Sequence, residues 1–183
     1  MSLQEKYTKN IVPELKKELK KTNNFDVPKM IKVVLNVGTG SHSKDPKFKE
    51  VAIATLNRIS GQKPVETLAK KSISNFKVRE GMSVGLKVTL RGKRMYDFID
   101  KLINVAFPRM QDFRGITTHC IDKSGNLTFG FKEHIIFPEI KTDEVEKVHG
   151  LEVSILTNAA SRDDGVALFT LLGFPFSKKI KDA

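Results

Sequence analysis

Residues 33–44 read VVLNVGTGSHSK. A β-branched apolar run meets a glycine-rich turn with a lysine beyond it. Loops that cradle phosphate are written this way, with backbone amides and a helix N-terminus holding the anion. A Walker A loop needs Gly, four residues, then Gly-Lys and a hydroxyl residue. After Gly38 the corresponding positions are Ser43, Lys44 and Asp45. The second glycine is missing, and a carboxylate stands where a Mg²⁺-binding hydroxyl belongs. The dinucleotide pattern G-x-G-x-x-G fails at Ser43 too. A nucleotide-dependent enzyme built on residues 33–44 is therefore kept only as an alternative. The plainer reading is a strand that ends in a turn.

No other residues assemble into an enzyme's constellation. The histidines are His42, His119, His134 and His149, and Cys120 is the single cysteine. His119 and Cys120 are adjacent, and neighbours in an extended strand face opposite sides, so they make a poor nucleophile–base pair. His134, beside Glu133, reads as a surface or core residue. The carboxylates are scattered, with no pair placed for acid–base work. The expectation is a non-enzyme with no cofactor and no metal. One cysteine excludes a disulfide framework and suits a reducing cytoplasm.

The net charge of +11 carries more information, through its distribution. Residues 62–94 hold nine Lys/Arg against Glu66 and Glu80, whereas residues 111–183 hold nine bases against eleven acids. A basic first half attracts a polyanion, either nucleic acid or an anionic membrane. A membrane binder would need Trp or Phe beside the lysines of the N-terminal helix, and only Leu, Ile and Tyr line it. No apolar run approaches the roughly 18–20 residues of a membrane span. The first residues, MSLQEKYTKN, contain no apolar core of a signal peptide. The expected location is cytoplasmic.

The elements that must position any site follow from periodicity. Leu3, Tyr7, Ile11, Leu15 and Leu19 recur every four residues, predicting a helix that Pro13 kinks or divides. In residues 31–37, Ile31, Val33, Leu35 and Val37 point one way and Lys32, Val34 and Asn36 the other. Asp45-Pro46 caps a helix whose stripe runs through Phe48, Ala52, Leu56 and Ile59, with Gly61 as its stop. A short strand is expected at 64–69 and a long basic, mobile loop at 71–85. In the next strand Val84, Leu86, Val88 and Leu90 point inward, and Lys87, Thr89 and Arg91 outward. A helix over 93–106, strands at 126–131 and 151–157, a helix at 161–172 and a partly free tail from 177 complete the order. Helices interleaved with half-polar strands predict one α+β domain over residues 1–183. Its sheet is mainly antiparallel, with helices on one face and the other face open.

That open face offers Lys32, Val34 and Asn36 from one strand and Lys87, Thr89 and Arg91 from another. Cations supply salt-dependent affinity for phosphate, while amide and hydroxyl groups fix register and reach the ribose 2′-OH. No aromatic stands among them, so bases are not stacked on the sheet. A structured RNA read by its shape fits better.

Seven stretches in order carry a resemblance: LNVGTG at 35–40, ISGQKP at 59–64, KKSISNFKVREG at 70–81, KVTLRG at 87–92, PRMQDFRG at 108–115, GNLTFGFKEHIIFPEI at 125–140 and FPF at 174–176. The chain resembles the bacterial-type large-subunit ribosomal protein L5 family over nearly its whole length. The resemblance implies a non-catalytic protein that binds 5S rRNA beside other large-subunit rRNA and proteins. It implies that Asn36, Gln62 and Thr89 contact that RNA, flanked by the cations Lys32, Lys63, Lys87 and Arg91. Alternation places Asn36 and Thr89 outward independently; Gln62 rests on the resemblance. The loop around 74–83, with Asn75, Lys77 and Arg79, is implied to touch P-site tRNA. The resemblance also implies a bridge to a basic protein of the small-subunit head, and by charge complementarity the acidic stretch with Glu139, Asp143, Glu144 and Glu146 is the expected bridge surface. One departure is His134, where the family pattern has Gln.

Overall fold

The computed structural model describes residues 2–40, 45–111, 113–140 and 147–177. Five strands, β1 (Met30–Gly38), β2 (Val65–Leu68), β3 (Ser83–Leu90), β4 (Leu127–Phe131) and β5 (Leu151–Thr157), form one antiparallel sheet in the order β2-β3-β1-β5-β4. With six α-helical segments among the described residues, the architecture is α+β, as the periodicities predict. Two compact units are distinguished, one of Met1–Val33, Leu90–Phe129 and Ser154–Ala183, the other of Val34–Thr89 and Gly130–Val153. Among the described residues, no helix is long and apolar enough to cross a membrane.

In the first unit, helix α1 (Leu3–Lys6) runs through a π-turn, Tyr7–Ile11, into α2 (Val12–Glu18). Pro13 explains the turn. A proline in a helix has no N–H to donate, and its ring clashes with the carbonyl four residues back. The wider π-turn just before it takes up that clash, with Val12 N–H donating to Tyr7 O. The same device recurs after α4 (Gly92–Lys101). A π-turn, Leu102–Ala106, leads into the short α5 (Phe107–Arg109), which contains Pro108, and Phe107 N–H donates to Leu102 O. Helix α1 packs on α4, and α2 on α6 (Arg162–Leu172). Leu3, Ile11, Leu15, Met95, Phe98, Ile99, Leu102 and Ala106 are all buried, as their spacing predicts.

Three expectations in this unit need correction. Ile31 is 47% exposed, and Met30 is buried in its place. The inward alternation therefore begins at Val33, past the strand's first residues. His119 and Cys120 lie in a 3₁₀ turn, Thr118–Cys120, rather than a strand, and Cys120 Sγ lies 3.4 Å from Thr117 Oγ1. The end of the chain is not free as far as Ser177. Phe174 is buried, Ile116 N–H donates to Pro175 O at 2.8 Å, and Ser177 N–H donates to Ile116 O at 2.9 Å. The remainder of the expected tail, 178–183, lies outside the described residues.

In the second unit, helix α3 (Pro46–Ser60) starts and stops where Asp45 and Gly61 predict. Asp45 Oδ1 accepts from Lys47 N–H at 3.1 Å and Phe48 N–H at 3.4 Å, and Gly61 takes the left-handed conformation. A buried pair of imidazoles lies in the same unit. His134 and His149 are 1% and 5% exposed, and their rings stack with centroids 3.9 Å apart. His149 N–H donates to His134 Nδ1 at 3.2 Å, and Phe48 of α3 meets His149 edge-on. Burial, with the adjacent His134 ring, pushes the His149 pKa down to about 4. Burial also lowers that of His134, against opposing effects from the His149 amide and Glu133.

Candidate nucleic-acid interface

The described residues on either side of the glycine turn after β1 do not offer a phosphate site. Thr39 is buried, and its N–H already donates to Val84 O at 3.0 Å. The N-terminus of α3 is filled from within by the Asp45 carboxylate, which also pairs with Lys147. The hydrogen bond from Lys147 holds the Asp45 carboxyl below the usual carboxylate range. An anion at this helix end would meet a negative charge. Residues 41–44, including Lys44, lie outside the described residues. Among the described residues, no three His, Cys, Asp or Glu side chains group as a metal site.

The polar side of the strands in the second unit is organised around Asn36. Its stretch of β1 alternates strictly: Leu35 and Val37 are buried, Val34 and Asn36 half-buried. Asn36 Nδ2 donates to Glu152 Oε2 at 3.1 Å, joining β1 to β5 on that side. On the other flank, β3 presents Gly85, buried beside Asn36 and Thr67. A Cβ there would stand 2.8 Å from Thr67 Oγ1, 3.1 Å from Val37 O and 3.9 Å from Asn36 Oδ1. Glycine lets the three strands approach here without displacing the Thr67 hydroxyl or the Val37 carbonyl. The register pairs Thr67 with Gly85 and Val65 with Lys87, so Lys87 and the exposed Val65 continue the same side.

The expected RNA contacts fall as follows. Asn36 and Thr89 are half-buried and Lys87 is exposed, each on its predicted strand. Gln62 is half-buried in the turn between α3 and β2, where its N–H donates to Ser60 Oγ at 3.2 Å, and Lys63 beside it is exposed. Lys32 and Arg91 belong to the first unit. Lys32 is half-buried on β1, and Arg91 is exposed at the N-cap of α4. Glu152 and Gly85 are the two residues of this side that sequence reasoning misses. Alternation within LEVSILT turns Glu152 outward, but nothing local says that β5 lies beside β1.

The segment 71–85 is more ordered in its bonding than its lack of period suggests. Residues 83–85 belong to β3, and the pairing continues beyond it, with Ala69 N–H donating to Met82 O at 2.8 Å and Gly81 N–H to Ala69 O at 3.0 Å. The tip is closed by a pair of hydrogen bonds between Ile73 and Val78 around a 3₁₀ turn, Ser74–Phe76. Asn75 and Lys77 are exposed on it and Arg79 just beyond it, with Lys77 in the left-handed conformation. Phe76, which belongs to no periodic pattern in the sequence, is 75% exposed among them. Of the expected bridge residues, Glu139 is half-buried, and Asp143, Glu144 and Glu146 lie outside the described residues.

Comparison with known proteins agrees along nearly the whole chain. Residues 23–79 match the family model described as Ribosomal protein L5, and residues 83–176 match the model of that ribosomal family's C-terminus. The large ribosomal subunit protein uL5 of Mycoplasma mycoides is 51% identical over 176 residues, covering 96% of this chain and 98% of its own. The uL5 proteins of Thermoanaerobacter sp. and Caldanaerobacter subterraneus are 48% and 50% identical, with the same coverage of 96% and 98%.

Proposed function

The chain belongs to the ribosomal protein L5 family, a component of the large ribosomal subunit and not an enzyme, and on that premise we propose that its open sheet side binds 5S rRNA. The observation that carries this reading is the Asn36–Glu152 hydrogen bond beside Gly85. It holds an amide in one orientation on a surface where Lys87 supplies positive charge. An oriented amide and the Thr89 hydroxyl suit ribose and base edges, and lysine suits phosphate. The loop around 74–83 contacts P-site tRNA through Asn75, Lys77 and Arg79, with the two cations on phosphates. The acidic stretch that includes Glu139 faces a basic protein of the small-subunit head.

The test is binding of the purified protein to 5S rRNA and to an unrelated RNA of equal length, at about 0.15 M salt. Asn36→Ala and Thr89→Ala should each weaken 5S rRNA binding by roughly 1 kcal/mol or more, as for a lost hydrogen bond. Lys123→Ala, at a surface turn outside the sheet, should change little. Equal affinity for both RNAs, with the three variants alike, would reduce the interaction to non-specific charge and remove the sheet-side reading.

A further inference from the structure

Phe25 is 86% exposed, and it and Phe76 are the exposed large aromatics among the described residues. The turn that carries it is firmly held. It is a 3₁₀ turn, Asn24–Asp26, whose first N–H groups are satisfied by Asn23. Phe25 N–H donates to Asn23 Oδ1 at 3.1 Å, and Asp26 N–H to Asn23 O at 3.3 Å. Lys16 Nζ donates to Asn24 Oδ1 at 2.9 Å, and Lys21 pairs with Asp26 at 3.0 Å, tying the turn to the end of α2. Val27 and Pro28 are buried immediately after it. The backbone around Phe25 is thus fixed on both sides while its ring stands in water.

The surroundings say what would cover that ring. Lys16, Lys17, Lys20, Lys21 and Lys29 lie within fourteen residues that contain only Glu18 and Asp26 as acids. A shallow depression of about 390 Å³ beside the ring is lined by Lys16, Thr22, Asn23, Asn24 and Phe25. An exposed aromatic next to amides and lysines is the chemistry that stacks an unpaired nucleobase and holds its flanking phosphates. A membrane surface would call for a contiguous apolar face, whereas Phe25 is a single ring among polar side chains.

We infer that Phe25 is a stacking platform for an unpaired base of ribosomal RNA, with the lysines at the end of α2 on the neighbouring phosphates. This rests on the chain's place in the large subunit and not on the sheet-side reading. The base can belong to 5S rRNA or to the large rRNA, and the arms of the test separate them.

The chain contains no Trp, so Phe25→Trp introduces a lone reporter. Its emission and its quenching by acrylamide are followed in the full chain against 5S rRNA, large-subunit rRNA freed of 5S, an unrelated RNA and vesicles containing anionic lipid. Saturable quenching by one rRNA fraction is expected. Phe25→Ala should weaken that complex about tenfold, Phe25→Trp should retain it, and Phe25→Leu should not restore it, because stacking needs a π-face. A reporter that responds to vesicles alone, or to no rRNA fraction, overturns the inference. Asn36→Ala in the reporter protein keeps the two readings apart. Loss of 5S binding with a silent reporter leaves the sheet side standing and removes the platform. A reporter that responds to large rRNA, in a chain with no preference for 5S rRNA, does the reverse.

Discussion

Asn36 Nδ2 and Glu152 Oε2 lie 3.1 Å apart, an amide held by a carboxylate on the side of the sheet proposed to receive RNA. The carboxylate orients its partner and also repels phosphate, and two substitutions separate these effects. Glu152→Gln keeps an acceptor for Asn36 and removes the charge. It should tighten binding to any RNA a few-fold, with the preference for 5S rRNA intact. Glu152→Ala removes the orientation, and the preference should fall. Titrations with 5S and unrelated RNA in parallel check both.

Gly85 should resist substitution. A methyl group would press on Thr67 Oγ1 and on the backbone oxygen of Val37. Gly85→Ala is expected to cost about 1–3 kcal/mol, read as a lower urea midpoint at unchanged slope. Because Val37 is the next residue along β1 from Asn36, 5S rRNA affinity should fall as well.

The stacked imidazoles make stability depend on pH. His149 keeps its proton off in the fold until about pH 4, against an ordinary value of 6.5. Between those values the unfolded chain binds more protons than the folded one. Stability therefore falls as pH drops from about 6.5 to about 4, and this contribution levels off below. Burial lowers His134 in the same direction. Urea midpoints at pH 7, 6, 5 and 4.5 should decline less steeply in His149→Asn, whatever that variant's stability at pH 7.

Phe76 at the hairpin tip should matter to tRNA and not to folding. With its ring largely in water, Phe76→Ala should leave the thermal midpoint within about 1 °C, since surface changes stay near ±0.5 kcal/mol or less. Large subunits carrying the variant should release P-site tRNA several-fold faster, and Phe76→Trp should not. Unchanged release from the alanine variant would remove the aromatic from the proposed tRNA contact.

Short-range order determined much of this protein from sequence alone. Period-two alternation set the buried faces of Val33–Val37 and Leu86–Leu90, because a strand's successive side chains must point to opposite sides. The Asp45 cap and Gly61 stop bounded α3, because a helix end needs partners for its free amides and a conformation in which to leave. Pro13 marked a disturbance in the first helix. The form that disturbance takes, a π-turn that keeps the helix running from α1 into α2, is seen only in the structure, where α1 packs against α4 and α2 against α6. The site shows the same division. Asn36 could be turned outward from its own strand, but its partner Glu152 is 116 positions away. His134 and His149 likewise meet only once β4 and β5 are in place. Contacts between distant positions are set by which strands lie side by side, and that is decided by burying apolar faces together rather than by any local pattern.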